Sequence, residues 1–287
     1  MAGDPKHFYR RKSVERIAEE INDVRRRYPL TMAHFSDDLF NSGVGWLREF
    51  SAYYRKHVGV DFSANTYATF ANEETVGLLA DAGCKVLAVG LEVADDELRR
   101  ERLNKPIRAA RFREIAELLR GRGIKLVTFN MLGLPWGTVE QDIQTLSLNV
   151  ELRATHTRVT VLTPFPKSRM TRSLIEDGYL APDFEDRIYE VADLPAWPAE
   201  SLFKRTEPVR TMRLLRLWHL AHVLRVPDRW VKKLIETRWA NLLAPLSFLV
   251  ALVNEKRIFG MSWLSGFRYF LHVKSPALKT SNYVSFI

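Results

Sequence analysis

Ile124-Lys-Leu-Val-Thr-Phe-Asn-Met-Leu-Gly-Leu-Pro-Trp-Gly-Thr138 decides how the rest of the sequence is read. It opens as a short apolar run with β-branched residues, breaks at Gly133-Leu134-Pro135, and restarts at Thr138 as a capped helical pattern. A buried strand, a Gly/Pro turn and a helix N-cap make one βα unit. In α/β proteins, ligands gather where such strands end.

The same unit recurs upstream and downstream. Helical patterns over Lys12–Tyr28, Val44–His57, Asn72–Ala82, Asp95–Leu103, Arg108–Arg122 and Thr138–Arg153 alternate with strand patterns over Leu30–Phe35, Val60–Ala64, Lys85–Leu91, Ile124–Met131 and Arg158–Leu162. Strands alternating with helices predict a parallel sheet with right-handed crossovers. Five units suit an open sheet or a partial (β/α) barrel and are too few for a closed eight-stranded one. Polar residues fall where the strands stop: Asp37, Asp38, Asn65, Glu92, Asn130 and Thr163. In a parallel sheet those positions converge on one rim.

Composition narrows the function classes. A hydrophobic content of 46% and a charged content of 27% are those of an ordinary soluble globular protein, and 287 residues can bury a sizeable core. No apolar run is long enough for a membrane span, and the N-terminal MAGDPKHFYRRKS lacks the apolar segment of a signal peptide. With Cys84 as the single cysteine there is no disulfide framework, and a reducing, cytoplasmic setting is expected; Cys84 itself reads as a small buried hydrophobe. The histidines show no ligand spacing and no metal site is expected, and no G-x-S-x-G elbow supports a hydrolase.

The net charge of +9 is uneven. Residues 205–287 hold 14 Lys and Arg against 4 Asp and Glu. This divides the chain into an α/β part over 1–182, a Pro-containing acidic linker over 183–204 and a basic, Trp-rich helical region over 205–287, with helices expected over Pro208–Leu224, Asp228–Val253 and Gly260–Val273. That region admits three readings: amphipathic helices packed on the barrel, a patch for anionic membrane surfaces, or nucleic-acid binding, for which no motif speaks.

The ordered series RRKSVERIAEEI, FSDDLF, LADAGCKVLAVGLEV, Asn104-Lys105, FNMLGLPWGT and TPFPKS resembles the radical S-adenosylmethionine (SAM) superfamily, and within it the branch with a cobalamin-binding domain. The resemblance covers residues 8–180. It implies a partial (β/α) barrel, a [4Fe-4S] cluster on a CxxxCxxC loop after the first strand, SAM lying across the strand ends, and radical chemistry such as methylation of an unreactive carbon. Asp37 and Asp38 stand where that family holds the amino group of SAM. Glu92 matches its acidic turn residue, although Val93 replaces the usual Ser. Gly133, Leu134 and Pro135 match its glycine turn, without the Glu that follows. Asn65, Asn130 and Thr163 are the strand-end positions that would complete the cofactor site.

Bland alternatives accompany each residue. Asp37-Asp38 could simply cap the next helix, Glu92 could be a solvated loop carboxylate, and Asn65 and Asn130 could satisfy backbone. No CxxxCxxC occurs, so the cluster, and cobalamin with it, is expected only in a longer family member. The chain is accordingly expected to lack the first strand and to be the C-terminal portion of such an enzyme, whether by truncation, a displaced start or a split gene, acting on an unknown small-molecule or lipid-like substrate and inactive alone. A non-catalytic SAM-binding scaffold or partner subunit is the second expectation, and a peripheral membrane or lipid-pathway protein the third.

Overall fold

The structure, a computed structural model, describes residues 11–162, 164–187 and 207–259. Five strands form one sheet in sequence order: β1 (Met32–Phe35), β2 (Asp61–Thr66), β3 (Cys84–Glu92), β4 (Lys125–Leu132) and β5 (His156–Val161). Every neighbouring pair is parallel. Between them run α1 (Val14–Arg27, ahead of β1), α2 (Val44–His57), α3 (Glu73–Ala82), α4 (Asp96–Glu101), α5 (Ala109–Gly121) and α6 (Val139–Glu151). This is the expected α/β half-barrel. Its edge strand β1 has no further partner among the described residues.

Local chemistry sets the boundaries. The Ser13 hydroxyl accepts from Arg16 N at the start of α1, whose last turn is Arg25-Arg26-Arg27, the charge order a helix dipole favours. Asn72 with Thr75 and Thr138 with Gln141 form reciprocal capping boxes at α3 and α6. Gly83 ends α3 in the left-handed region, at φ 105°, where a side chain would be strained.

The period-2 alternation of the strands sorts the core into two sides. Leu87, Val89 and Leu91 of β3 pack outward with Val76, Leu79, Ile115 and Leu119 of the helices. Val86 and Ala88 face the concave side with Val127 of β4. Beside β1 the core is aromatic: Phe35, Phe40, Phe50, Tyr54 and Phe62 meet at centroid distances of 4.5 to 6.1 Å, mostly edge to face.

Beyond β5 come α7 (Arg169–Glu176), α8 (Phe184–Arg187), α9 (Pro208–Val223), α10 (Asp228–Glu236), α11 (Trp239–Leu242) and α12 (Ala244–Phe259). α9 lies on the outer layer, where fully buried Trp218 donates its indole N–H to Thr157 Oγ1 at 2.8 Å and packs with Leu132, Ile143 and Val159. α12 takes a different route. Its Ile258 packs against Val86, Ala88 and Val127 on the concave side, and Glu255 reaches Arg158 at 3.4 Å.

Two expectations are corrected. The single helix over Asp228–Val253 is three, because Thr237 adopts an extended backbone that ends α10, and Pro245 sits in the first turn of α12, where a missing N–H costs nothing. β5 begins at His156, before the expected Arg158. The expected helix over Gly260–Val273, most of the linker and Thr163 lie outside the described residues.

Candidate functional site at the strand ends

The C-terminal ends of β1 to β4 bring several of the expected residues to one rim. After β1, Asp37 and Asp38 are exposed in a turn and cap no helix: the N-cap of α2 is Gly43, with no side-chain bond. The turn is tied to the end of β2 by Asn65, whose Nδ2 donates to Asp37 O at 3.3 Å and whose own carbonyl accepts from Phe40 N at 3.1 Å. Asn65 Oδ1 is buried and, among the described residues, has no hydrogen-bond partner. A buried acceptor without a donor is costly, so this one calls for explanation.

Glu92 closes β3. The pairing register with β4 slips between Gly90 and Glu92, and Glu92 takes φ 66°, a conformation that non-glycine residues rarely adopt. A bulge of this kind re-aims a side chain, and strained backbone concentrates at functional sites. The carboxylate ends up 2.6 Å from Lys105 Nζ, with only 13% of the Glu92 side chain exposed. Lys105 stands 5.6 Å from the Tyr67 ring. Burial, followed in sign by the Glu92 charge, pushes the Tyr67 hydroxyl above its ordinary range, while the Arg99 charge opposes it.

The loop between Glu92 and Lys105 is organised by a residue that the sequence did not single out. Arg99 is fully buried. Its Nε donates to Leu91 O at 3.2 Å and Val93 O at 3.0 Å, and its two terminal nitrogens reach Val93 O, Ala94 O, Ile107 O and the Asp96 carboxylate. One guanidinium thus supplies the donors that secondary structure would supply elsewhere.

Gly133, Leu134 and Pro135 are buried in the turn after β4. Gly133 has φ 65°, and its N–H donates to Asp142 Oδ2 on α6 at 3.0 Å. Leu134 points into an apolar cluster with Val93, Leu98, Leu162 and Leu174, so its role is to anchor the turn. Trp136, where the family pattern has glycine, donates its indole N–H to Asp177 Oδ2 at 2.5 Å and lies under Arg102. Asn130 does not join the rim. It faces α6, where Asn149 Nδ2 donates to its Oδ1 at 2.8 Å and its own Nδ2 donates to Arg158 O. The strand alternation explains this: Met131 and Phe129 take the concave side, and Asn130 takes the other.

Below the rim, the concave side carries polar groups absent from the sequence-level site. His34 Nδ1 lies 2.8 Å from Ser63 Oγ across β1 and β2, and burial, with the Arg158 charge, lowers its pKa. Arg158 stands over Phe129 at 5.7 Å. A cavity of about 300 Å³ opens between α1 and β1, with His34, Asp37, Arg11, Glu20 and Trp46 in its wall.

The donor set does not fit an iron–sulfur cluster. Cys84 is buried on the helix-facing side of β3, donates its S–H to Val86 O, and burial pushes its thiol up to about 12. A cluster needs several thiolates, and this thiol is neither ionised nor accessible. Among the described residues, no group of three or more His, Cys, Asp or Glu side chains is placed to hold a metal ion.

Comparison with known proteins adds a lineage. A family model described as the Radical SAM superfamily matches residues 3–148. The chain is 23% identical over 198 residues to the cytidylyl-2-hydroxyethylphosphonate methyltransferase of Streptomyces wedmorensis, covering 64% of this chain and 36% of that protein. It is 22% identical over 173 residues to an uncharacterized methyltransferase of Pyrococcus horikoshii, covering 60% and 38%. The fold is similar to that of TsrM from Kitasatospora setae, a radical S-adenosylmethionine methyltransferase solved with cobalamin and a [4Fe-4S] cluster bound. The TM-score is 0.52 at 22% identity, over 60% of this chain and 36% of that one. The chain thus spans little more than a third of the length of these curated relatives.

Proposed function

The chain belongs to the Radical SAM superfamily, and from that premise we propose that it forms the SAM-binding rim of a methyltransferase whose cluster ligands lie outside these 287 residues or on a second polypeptide. Cobalamin and the [4Fe-4S] cluster, seen in TsrM, would belong to that other part, which would supply the radical chemistry. What this chain contributes is binding and orientation. Asp37 and Asp38 offer exposed carboxylates to the ammonium of SAM, an ion-assisted contact of the strong class. Asn65 Oδ1 accepts from the ligand and so gains the donor it lacks in the free protein. Glu92 takes a polar edge of the nucleoside, and the Gly133 turn lets the main chain approach it. Thr163 completes the set by resemblance.

The observation that carries this reading is Glu92, held at φ 66° on a bulge at the strand end and fixed by Lys105. The test is isothermal titration of the chain with SAM and with S-adenosylhomocysteine. Wild type should bind both. Glu92→Gln, and separately Asp37→Asn with Asp38→Asn, should each weaken SAM by about ten- to a hundredfold, the value of a lost charge-assisted bond. A folded wild-type chain that takes up neither ligand would sink the proposal.

A second reading, a SAM-binding partner subunit without catalysis of its own, is favoured by the inert Cys84. Anaerobic reconstitution with iron and sulfide, first of the chain alone and then with a cysteine-bearing partner, tests both. Cluster absorbance on these residues would contradict both, and activity appearing only with a cysteine-bearing partner supports the first.

A further inference from the structure

Among the described residues, the barrel does not use one face of the C-terminal helices. α11 and α12 run almost continuously, with Leu242 N, Leu243 N and Ser247 N each bonded to the carbonyl four residues earlier. On such a rod Ala240, Ser247 and Ile258 share one side, and all three are buried. Trp239, Leu242, Leu246 and Leu249 share the opposite side, with exposures between 48% and 67%. The spacing of three, four and three residues is that of a single helical stripe. Pro245 widens it, and Trp230 of α10 is half exposed.

The surroundings are basic. Residues 207–259 hold ten Lys and Arg against four Asp and Glu. Three of the acids are already committed: Glu207 and Glu236 to Arg210, and Glu255 to Arg158. Arg229, Lys232, Lys233 and Arg238 are exposed on α10 and at the start of α11. The Lys233 ammonium lies 4.9 Å from the Trp230 ring, which places charge and aromatic side by side.

We propose that the α10–α12 face docks on an anionic lipid bilayer, with Trp239, Leu242, Leu246 and Leu249 entering the headgroup–acyl boundary and the flanking cations meeting lipid phosphates and carboxylates. Three arguments select this occupant. A contiguous row of large exposed apolar residues marks a contact surface. Cations flanking Trp and Leu are the composition of interfacial helices, and an anionic leaflet attracts them. A second copy of the same face would set like charges against each other, whereas an anionic surface neutralises them. The contact is interfacial, since among the described residues no helix is long and apolar enough to cross a membrane. The inference goes beyond SAM binding and does not depend on it.

Co-sedimentation of the full chain with vesicles tests it, comparing phosphatidylcholine alone with vesicles containing about 30% phosphatidylserine. Binding should be at least about tenfold stronger on the anionic vesicles and should fall as salt screens the charges. Leu246→Glu with Leu249→Glu should reduce it about tenfold or more while leaving the melting temperature unchanged, because both side chains are exposed. Lys232→Glu with Lys233→Glu should weaken it independently. Equal binding to neutral vesicles, or full retention of binding by the Leu246/Leu249 variant, overturns the proposal. So does a wild-type dimer in sedimentation equilibrium that the Leu246/Leu249 variant breaks while lipid binding is nil, which would assign the face to a second copy.

Discussion

Replacing Arg99 should be among the most damaging single changes in the α/β part, because one side chain serves the main chain of a whole loop. Its guanidinium serves the carbonyls of Leu91, Val93, Ala94 and Ile107 and the Asp96 carboxylate, and it lies 5.1 Å from the Phe112 ring. Arg99→Leu would remove the guanidinium donor from four carbonyls in a dry loop, of which Leu91 O keeps the Val93 N–H at 2.9 Å, at about 1 kcal/mol for each lost bond. The ion pair adds less than about 1 kcal/mol, because the Asp96 side chain is 47% exposed. The total is about 4 to 5 kcal/mol against a typical stability of roughly 5 to 15. At about 2 to 4 °C per kcal/mol for a chain of this size, the melting temperature should fall by roughly 8 to 20 °C. Arg99→Lys keeps a charge and three donors but loses the planar fork, so it should recover about half of the loss. Urea denaturation followed by circular dichroism reads both variants. The loop also carries Lys105, whose N–H donates to Arg99 O at 3.0 Å, so SAM affinity should weaken in Arg99→Lys at temperatures where the protein is still folded. An Arg99→Leu protein within 1 kcal/mol of wild type, or an Arg99→Lys protein indistinguishable from it, would refute the reasoning.

Other outcomes follow from the same contacts. Gly133→Val forces a β-branched side chain to φ 65° and should cost about 1 to 3 kcal/mol, read as a lower urea midpoint. Asp142→Ala removes the acceptor of the Gly133 N–H and should cost a further 1 to 3 kcal/mol, roughly, while also weakening any ligand seated on the turn. Acid should loosen the junction of β5, α9 and α12. Burial drives His156 down to about 3 and His219 and His222 to about 4; neighbouring cations and the mutual approach of the rings add to it, while a backbone bond with Asn149 opposes it at His222. Each is neutral when folded and takes up a proton when unfolded, so stability is full above pH 6.5 and declines as pH falls toward 4 and 3. A urea midpoint that changes as little from pH 7 to pH 4.5 in wild type as in a His156→Gln, His219→Gln variant would contradict this.

How much of this was legible beforehand depends on how local the signal is. Strand periodicity, the Ser13, Asn72 and Thr138 caps and the Gly83 stop are written within a few residues of each other, and the five parallel units follow from them. Asp37, Asn65 and Glu92 fall at strand ends by the same counting. Asn130 shows where counting stops: one step along β4 decides which side of the sheet it faces, and the strand-end position alone does not give that parity. Glu92 could be located from sequence, but not its bulge or its left-handed backbone, which arise from a pairing slip against β4. Lys105, Arg99 and Asp142 work through partners that the loop and turn geometry brings to them, and a sequence carries no mark of such meetings. The path of α12 into the concave side was equally invisible. Its apolar run up to Val253 does not say which side is buried.

That path has a thermodynamic consequence. α12 is one rigid body of 16 residues, about 24 Å long, with Glu255 and Ile258 fastened inside the barrel and Leu246 and Leu249 bare at the other end. Whatever seats on the bare end restrains the same helix that orients Arg158, and whatever occupies the concave side restrains it from within. Linkage then requires reciprocity. If occupying one end changes the affinity at the other by some factor, the reverse effect has that same factor, and a single measured coupling constant describes both.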